Sequence, residues 1–166
     1  MTRHEQTGID EAAIRVDLAA AIRLSCRAGW HEGVANHFSA AVSPDGRRFL
    51  VNPRWMHWSR VRASDLVLCN ADDPSTMDRP DAPDPSAWSI HSAIHRRLPQ
   101  ARVALHIHPP YATALAGLED PRILPIDQVT ARFYGRMASD LAFGGIATEG
   151  EEGERITTAV GNHSSL

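Results

Sequence analysis

The feature that most constrains the fold of this chain is a strand-like segment that two prolines end. Residues 102–108 read RVALHIH, and the alternation places the valine, leucine and isoleucine on one face of an extended strand. Pro109-Pro110 follows directly, so the strand ends there and a short helix begins, which we expect to run to Leu115 and to close at Gly117. The segment therefore predicts a strand that leads directly into a helix.

Two more elements are predicted in the first third of the chain. Asp10 is a good N-cap, and the apolar residues that follow it recur at helical spacing, which predicts a helix over residues 10–28. The turn sequence Ser43-Pro44-Asp45-Gly46 separates two strand-like runs. It predicts a β-hairpin of residues 38–42 and 48–51.

The second half of the chain predicts helices on either side of the proline-ended strand. Residues 70–85 hold four of the eleven prolines and five aspartates, so we expect a loop there. Ser86 can cap a helix that runs to about Arg97, and a last helix is expected over residues 150–160. Because helices and strands alternate, the fold class predicted is α/β, with three layers in the order α/β/α.

Composition limits the classes of partner. The 166 residues carry a net charge of −3 and no basic block, which argues against nucleic acid and anionic membranes as partners. No run approaches the ~18 apolar residues of a transmembrane helix, and the first residues lack the apolar core of a signal peptide. Cys26 and Cys69 have no CxxC spacing and are expected to be reduced thiols. We expect a cytoplasmic protein with a flexible lead-in over residues 1–9 and one domain over residues 10–166.

His106 and His108 are the first candidates for chemistry. Side chains two residues apart in a strand point to the same face, so the two imidazoles are expected to project together. Two converging neutral imidazoles can begin a site for a divalent metal such as Zn²⁺, which in catalytic sites commonly takes three protein ligands. The spacing fits two half-exposed strand histidines equally well, and both interpretations stay open.

Two other groups of polar residues have competing interpretations. His91 and His95 lie one helical turn apart, which suits either a metal pair or structural histidines that bond to the neighbouring layer. The Asn36-His37-Phe38-Ser39 segment precedes a predicted strand and could bind an oxyanion or cap the preceding loop. Arg54 lies in a segment with two tryptophans that is rich in side chains typical of recognition.

Taken in order, four groups of motifs resemble the class II aldolase/adducin domain family, from about residue 10 to the end of the chain. They are Asn36-His37-Phe38-Ser39, Pro85–His91, the HIHPPYATALA run over residues 106–116, and Asp127-Gln128 with Arg132–Gly135. The resemblance implies an α/β/α sandwich around a mostly antiparallel sheet, usually assembled into tetramers. It also implies a homo-oligomer that acts on a small-molecule substrate.

The resemblance also implies a reaction and its residues. Aldolases of this family cleave a carbon–carbon bond beside a carbonyl through an enediolate, with a zinc ion held by three histidines. His106 and His108 match the first two metal ligands, for which we expect Zn²⁺, with Fe or Mn as alternatives. The substrate-binding positions implied are Asn36, Ser39, Arg54 and Ser86.

The sequence departs from the aldolase pattern in three places. Ala87 stands where the family's aldolases carry the acid/base glutamate, so His37 or Tyr134 is expected to carry the proton. The third histidine ligand would lie beyond His163, in a C-terminal part that we expect this chain to lack. Arg54-Trp55 and Asn36-His37 replace the phosphate-binding motifs of the sugar aldolases, which favours a bulkier or unphosphorylated ligand.

Two functions therefore stay open. The first is a metal-dependent lyase of aldolase or decarboxylase type that acts on a small hydroxy-carbonyl compound. The second is a non-catalytic adducin-like domain, or a truncated and degenerate member of the family. A non-catalytic or degenerate member of the family would be expected to lack the glutamate and the third metal ligand.

Overall fold

The computed structural model describes residues 9–141 and 150–161. The helices and strands within them are α1 (Glu11–Arg27), β1 (His37–Ala41), β2 (Arg48–Val51), β3 (Val67–Asn70), α2 (Pro85–Arg97), β4 (Val103–His106), α3 (Pro110–Ala116) and α4 (Gly150–Gly161). Short 3-10 helices lie at Trp58–Arg60, Ala63–Asp65, Pro74–Asp78 and Thr130–Phe133. No helix of the described residues is long and apolar enough to cross a membrane.

The four strands form one antiparallel sheet in the order β3-β2-β1-β4. The predicted hairpin is confirmed as the β1–β2 pair, in which Ala40 lies opposite Leu50. In the β1–β4 pair His37 lies opposite His106, so two histidines from distant parts of the sequence become neighbours. Strand β3 was not predicted, because its four residues lack both a turn signal and a clear alternation.

Apolar side chains of the sheet point alternately to two helical layers. On β2, Leu50 packs in a cluster with Leu18 and Ile22 of α1. Its neighbours Phe49 and Val51 pack in the opposite cluster, which contains Ala87 of α2. Because α1 and α2 cover opposite faces, the predicted three-layer α/β/α arrangement is confirmed.

Strand β1 brings polar groups into the layer beneath α2. All five of its residues are buried, and Phe38 and Ala40 pack towards α1. The strand period of two therefore turns His37 and Ser39 towards α2. The interior on that side contains imidazole and hydroxyl groups, which require hydrogen-bond partners there.

Most predicted helix boundaries are confirmed. Helix α1 begins after Asp10, whose Oδ1 accepts a hydrogen bond from the amide of Ala13 at 3.1 Å. Helices α3 and α4 also lie where the sequence predicts them, and Gly117 ends α3. The predicted capping of α2 by Ser86 is wrong: Asp84 is the N-cap and accepts from the amide of Ser86 at 2.9 Å.

The proline-ended strand is shorter than predicted. Strand β4 covers Val103–His106 instead of residues 102–108, so His108 lies just beyond its end. Residues 1–8, most of the predicted lead-in, and His163 lie outside the described residues. The division of the chain into a lead-in and one domain stays a prediction.

Candidate metal centre

His106 and His108 converge, as their spacing predicts. Their Nε2 atoms are 3.0 Å apart, and the amide of His108 donates to the carbonyl of Trp30 at 3.1 Å. The two rings meet edge to face with centroids 4.8 Å apart. Both side chains therefore present the same ring nitrogen to one point in space.

The Nδ1 atoms of His106 and His108 lie within hydrogen-bond distance of other side chains. Nδ1 of His108 is 2.6 Å from Oε2 of Glu32, and Nδ1 of His106 is 3.0 Å from Nε2 of His37. A metal-ligating histidine usually donates its second N–H to a carboxylate or another acceptor, which fixes the tautomer and the ring orientation. Glu32 and His37 occupy those positions here, so both Nε2 atoms can present lone pairs.

The separation of the two Nε2 atoms suits one shared ion. Two nitrogens at about 2.05 Å from a tetrahedral Zn²⁺ would lie about 3.3 Å apart, close to the distance between these atoms. Among the residues that the structure describes, no third His, Cys or carboxylate joins His106 and His108 in a group of three donors. The described residues thus fit a divalent metal with two ligands, and a further ligand would come from elsewhere.

Behind His106 a chain of hydrogen bonds runs into the interior. Nδ1 of His37 is 2.7 Å from Nε2 of His91, and Nδ1 of His91 is 2.5 Å from Oγ of Ser39. The same hydroxyl is 2.7 Å from Nε2 of His95. We call the five residues His106, His37, His91, Ser39 and His95 the histidine chain.

Burial keeps the imidazoles of the histidine chain neutral. Burial, with His106 close by, lowers the pKa of His37 to about 3. Burial, with Arg102 in the vicinity, lowers the pKa of His95 to about 4. The pKa of His91 lies well below its usual value, and that of His106 is also lowered, in both cases mainly by burial. Each imidazole of the chain is therefore an uncharged group with one donor and one acceptor nitrogen at neutral pH.

One assignment of the protons in the histidine chain is compatible with a metal at His106. His106 donates from Nδ1 to His37, His37 donates to His91, and His91 donates to the Ser39 hydroxyl, which donates to His95. This direction leaves Nε2 of His106 without a proton. Both nitrogens of His91 are used within the chain, which favours the structural interpretation of His91 and His95 over a metal pair.

Of the predicted substrate-binding residues, Asn36, Ser39 and Ser86 lie close to these histidines or to the loop before β1. Oδ1 of Asn36 accepts a hydrogen bond from the amide of Glu32 at 2.6 Å. The backbone carbonyl of Asn36 accepts one from Nε1 of Trp58 at 3.2 Å. Oγ of Ser86 is 3.3 Å from Nε2 of His37. In this structure Asn36 caps the loop that carries Glu32, and substrate binding by these residues stays a prediction.

Arg54 and Tyr134 lie at the surface, apart from the hydrogen bonds of the histidine chain. Tyr134 is 76% exposed at the end of a 3-10 helix, and the Arg54 guanidinium lies 5.9 Å from the ring centre of Trp55. Trp55 is also exposed and has a φ of 64°, a left-handed conformation that disfavours bulky residues. The predicted roles of Arg54 in binding and of Tyr134 in proton transfer stay predictions.

Sequence reasoning did not identify Glu32, and it left His91 and His95 undecided. Glu32 lies in a loop with no motif, 76 positions before the histidine that it contacts. The helical spacing of His91 and His95 showed that they share a face, but not which strand they would meet. One pattern could have identified Glu32. It is a carboxylate in the loop just before a predicted strand, where that strand pairs with the strand that carries the HxH histidines.

Comparison with known proteins gives one consistent match. Residues 16–166 match the family described as Class II Aldolase and Adducin N-terminal domain. A Pseudomonas aeruginosa protein named for the class 2 aldolases is 33% identical over 161 residues, which cover 97% of this chain and 61% of that protein. An adducin-related protein of Schizosaccharomyces pombe is 36% identical over 119 residues, 68% of this chain and 36% of that protein.

A solved structure agrees with these sequence matches. The crystal structure of an aldolase II superfamily protein from Pseudomonas syringae superposes with a TM-score of 0.80 at 30% identity. The match covers 98% of this chain and 65% of that structure. The chain thus spans about three fifths of the length of these bacterial relatives.

Proposed function

Because this chain belongs to the class II aldolase and adducin family, we propose that it acts as a metal-dependent carbon–carbon lyase on a small hydroxy-carbonyl compound. The observation that carries the proposal is the 3.0 Å approach of the Nε2 atoms of His106 and His108, with both opposite nitrogens held. This arrangement suits ligands that are oriented before an ion binds.

His106 and His108 would hold the ion, with a further ligand from outside the described residues. We favour Zn²⁺, with Fe or Mn as alternatives, since imidazole ligands suit several transition metals. When bound, a divalent ion supplies a Lewis acid that polarises a carbonyl or hydroxyl oxygen and favours enediolate chemistry. The protein's part is to orient the ligands and to move protons.

In this proposal the two predicted proton carriers have different tasks. His37 is buried against His106 and Ser86, so it orients His106 by fixing which of its nitrogens carries the proton. Tyr134 has an exposed hydroxyl, to which the proposal assigns proton exchange with the substrate. Ala87 is buried and has only a methyl group, so it can do neither.

We also propose that the protein works in the cytoplasm as a homo-oligomer, a tetramer by family resemblance. Large apolar side chains are exposed from α3 onward, including Ile126 at 82% and Leu141 at 76%. An assembly would cover such a surface. Sedimentation equilibrium tests this part, and a monomer at all concentrations would contradict it.

The metal part is tested by the metal content of the purified 166-residue chain after chelation and reloading with Zn²⁺. The double variant His106→Ala/His108→Ala is expected to hold about one equivalent less than the wild type. The matched control is Val103→Ala/Leu105→Ala, which changes two half-exposed residues of the same strand and should keep the wild-type content. Equal metal content in the wild type and the histidine variant would contradict the proposed centre.

The lyase part is tested by deuterium exchange at the carbon beside the carbonyl of small hydroxy ketones, followed by NMR. Exchange reports enediolate formation without requiring cleavage of the carbon–carbon bond. We expect metal-dependent exchange in the wild type that the His106→Ala/His108→Ala variant lacks. A wild type that binds the metal but exchanges no faster than the variant would favour the non-catalytic, adducin-like alternative.

A further inference from the structure

A second group of metal-binding side chains lies at the end of α1, separate from the proposed centre. Cys26 is in the last turn of α1, His31 is in the loop that follows, and His57 precedes the 3-10 helix at Trp58. One donor atom from each of the three lies within 4.8 Å of the other two. Two residues five positions apart and a third 26 positions further along thus bring one sulfur and two nitrogens together.

The distances resemble those around a single tetrahedral ion. Nε2 of His31 is 3.5 Å from Sγ of Cys26 and 3.2 Å from Nε2 of His57. A Zn²⁺ with a Zn–S bond of about 2.3 Å and Zn–N bonds of about 2.05 Å would place sulfur and nitrogen about 3.6 Å apart, and two nitrogens about 3.3 Å apart. Two of the three separations already agree with this geometry to within a few tenths of an ångström.

The rings of this group are held in place by their surroundings. The His31 ring stacks on buried Trp58, with centroids 5.9 Å apart and planes 18° from parallel. Nδ1 of His57 lies 2.9 Å from Oγ of Ser59, which can accept a hydrogen bond from an Nδ1–H group; in that tautomer Nε2 carries no proton and can bind a metal. In that tautomer Nδ1 of His57 could no longer accept the 3.3 Å hydrogen bond from the Ser59 amide.

The environment also suits a cation with access to solvent. The C-terminal end of a helix carries partial negative charge, and Cys26 lies at the end of α1. His57 is exposed while Cys26 and His31 are partly buried, so an ion could enter from one side and keep a water as its fourth ligand. Cys26 is a free thiol, which becomes a ligand when its proton passes to the solvent.

We infer that Cys26, His31 and His57 form a second metal site, which takes Zn²⁺ or a similar thiolate-binding transition metal. A thiolate and two imidazoles disfavour Mg²⁺ and Ca²⁺, which prefer oxygen ligands. The ion would join the end of α1 to the two loops that carry His31 and His57. This inference does not depend on the proposed lyase activity.

The test uses Co²⁺ as a spectroscopic probe, because a thiolate ligand adds a near-ultraviolet charge-transfer band that all-imidazole sites lack. The chelated, reduced 166-residue chain is titrated with Co²⁺, and Zn²⁺ is then added as a competitor. We expect the band to saturate near one equivalent and to disappear with Zn²⁺. Absence of the band in the wild type would overturn the inference.

Variants assign the band to its residues. Cys26→Ser should abolish it, whereas Cys69→Ser should keep it, because Cys69 is buried in the opposite core cluster. His57→Asn preserves a side chain that can cap the 3-10 helix and should weaken Co²⁺ binding roughly tenfold or more. A band that survives Cys26→Ser, or unchanged affinity in His57→Asn, would also overturn the inference.

A last variant separates this site from the proposed catalytic one. His106→Ala/His108→Ala should keep the thiolate band, since neither histidine belongs to the second group. Loss of the band in that variant would contradict two independent sites. A wild type that shows the thiolate band but no metal-dependent enediolate exchange would instead count against the proposed function alone.

Discussion

Acid should destabilise the metal-free protein because its buried histidines are neutral when folded. The folded-state pKa values of His37 and His95 are about 3 and about 4, whereas an unfolded histidine titrates near its usual 6.5. Below pH 6.5 the unfolded chain therefore binds more protons than the folded chain. Stability is fully present above that pH and is lost as the pH falls towards the folded pKa values.

The expected size of this loss follows from the lowered pKa values of His37 and His95. One pH unit is worth about 1.36 kcal/mol for each proton taken up on unfolding, so between pH 7.5 and 5.0, most of it below pH 6.5, each group lowers the free energy of unfolding by about 2 kcal/mol. His37 and His95 together give about 4 kcal/mol, and His91 acts in the same direction. Such a loss is a large part of the 5–15 kcal/mol by which a typical domain is stable.

The assay is urea unfolding of chelated protein at pH 7.5 and 5.0, followed by tryptophan fluorescence. The free energy of unfolding should fall by about 4 kcal/mol or more, and in His95→Gln the fall should be about 2 kcal/mol smaller. Ile22→Val is the control, because it weakens the α1 core by about 0.5–1.5 kcal/mol at both pH values without changing a titrating group. A fall of less than about 1 kcal/mol in the wild type would refute the reasoning.

Three further predictions concern single positions. Glu32→Gln should weaken Zn²⁺ binding at the proposed centre roughly 10–100-fold in equilibrium dialysis, and unchanged affinity would contradict its role in holding a ligand. Gly153→Ala should lower the free energy of unfolding by about 1–3 kcal/mol, because its Cβ would collide with α2, whereas Gly161→Ala, with open space around it, is the control and should not. Trp55→Gly should raise the free energy of unfolding by about 1 kcal/mol because it removes left-handed strain, and a loss in urea unfolding would contradict this.

The local parts of the fold and the convergence of His106 and His108 could be predicted because they depend on short-range periodicity. The HxH spacing predicted that the two side chains share one face, and they converge although β4 ends at His106, since the amide of His108 is held by the carbonyl of Trp30. Asp10 caps α1 through a contact three residues away, within reach of sequence reasoning. The resemblance to the family then supplied the layer order, which periodicity alone only suggested.

What could not be predicted depends on contacts between distant segments. His37 and His91 are 54 positions apart, and they meet because β1 turns one face towards α2. Strand β3 forms only by pairing with β2, and its own sequence has no strong preference. The Ser86 cap was wrong for a local reason: Asp84, two positions earlier, offers a carboxylate to the same amide.

The loop between α1 and β1 connects the two proposed metal sites. His31 belongs to the thiolate group, while the next residue, Glu32, holds the second ligand of the histidine pair. Asn36 closes this loop by accepting from the amide of Glu32, and Trp58 anchors it from both ends, through the ring of His31 and the carbonyl of Asn36. An ion bound at His31 would restrict the same backbone that positions Glu32. The inferred thiolate site would therefore add an ion to the contacts of Asn36 and Trp58 that already hold the loop that orients His108.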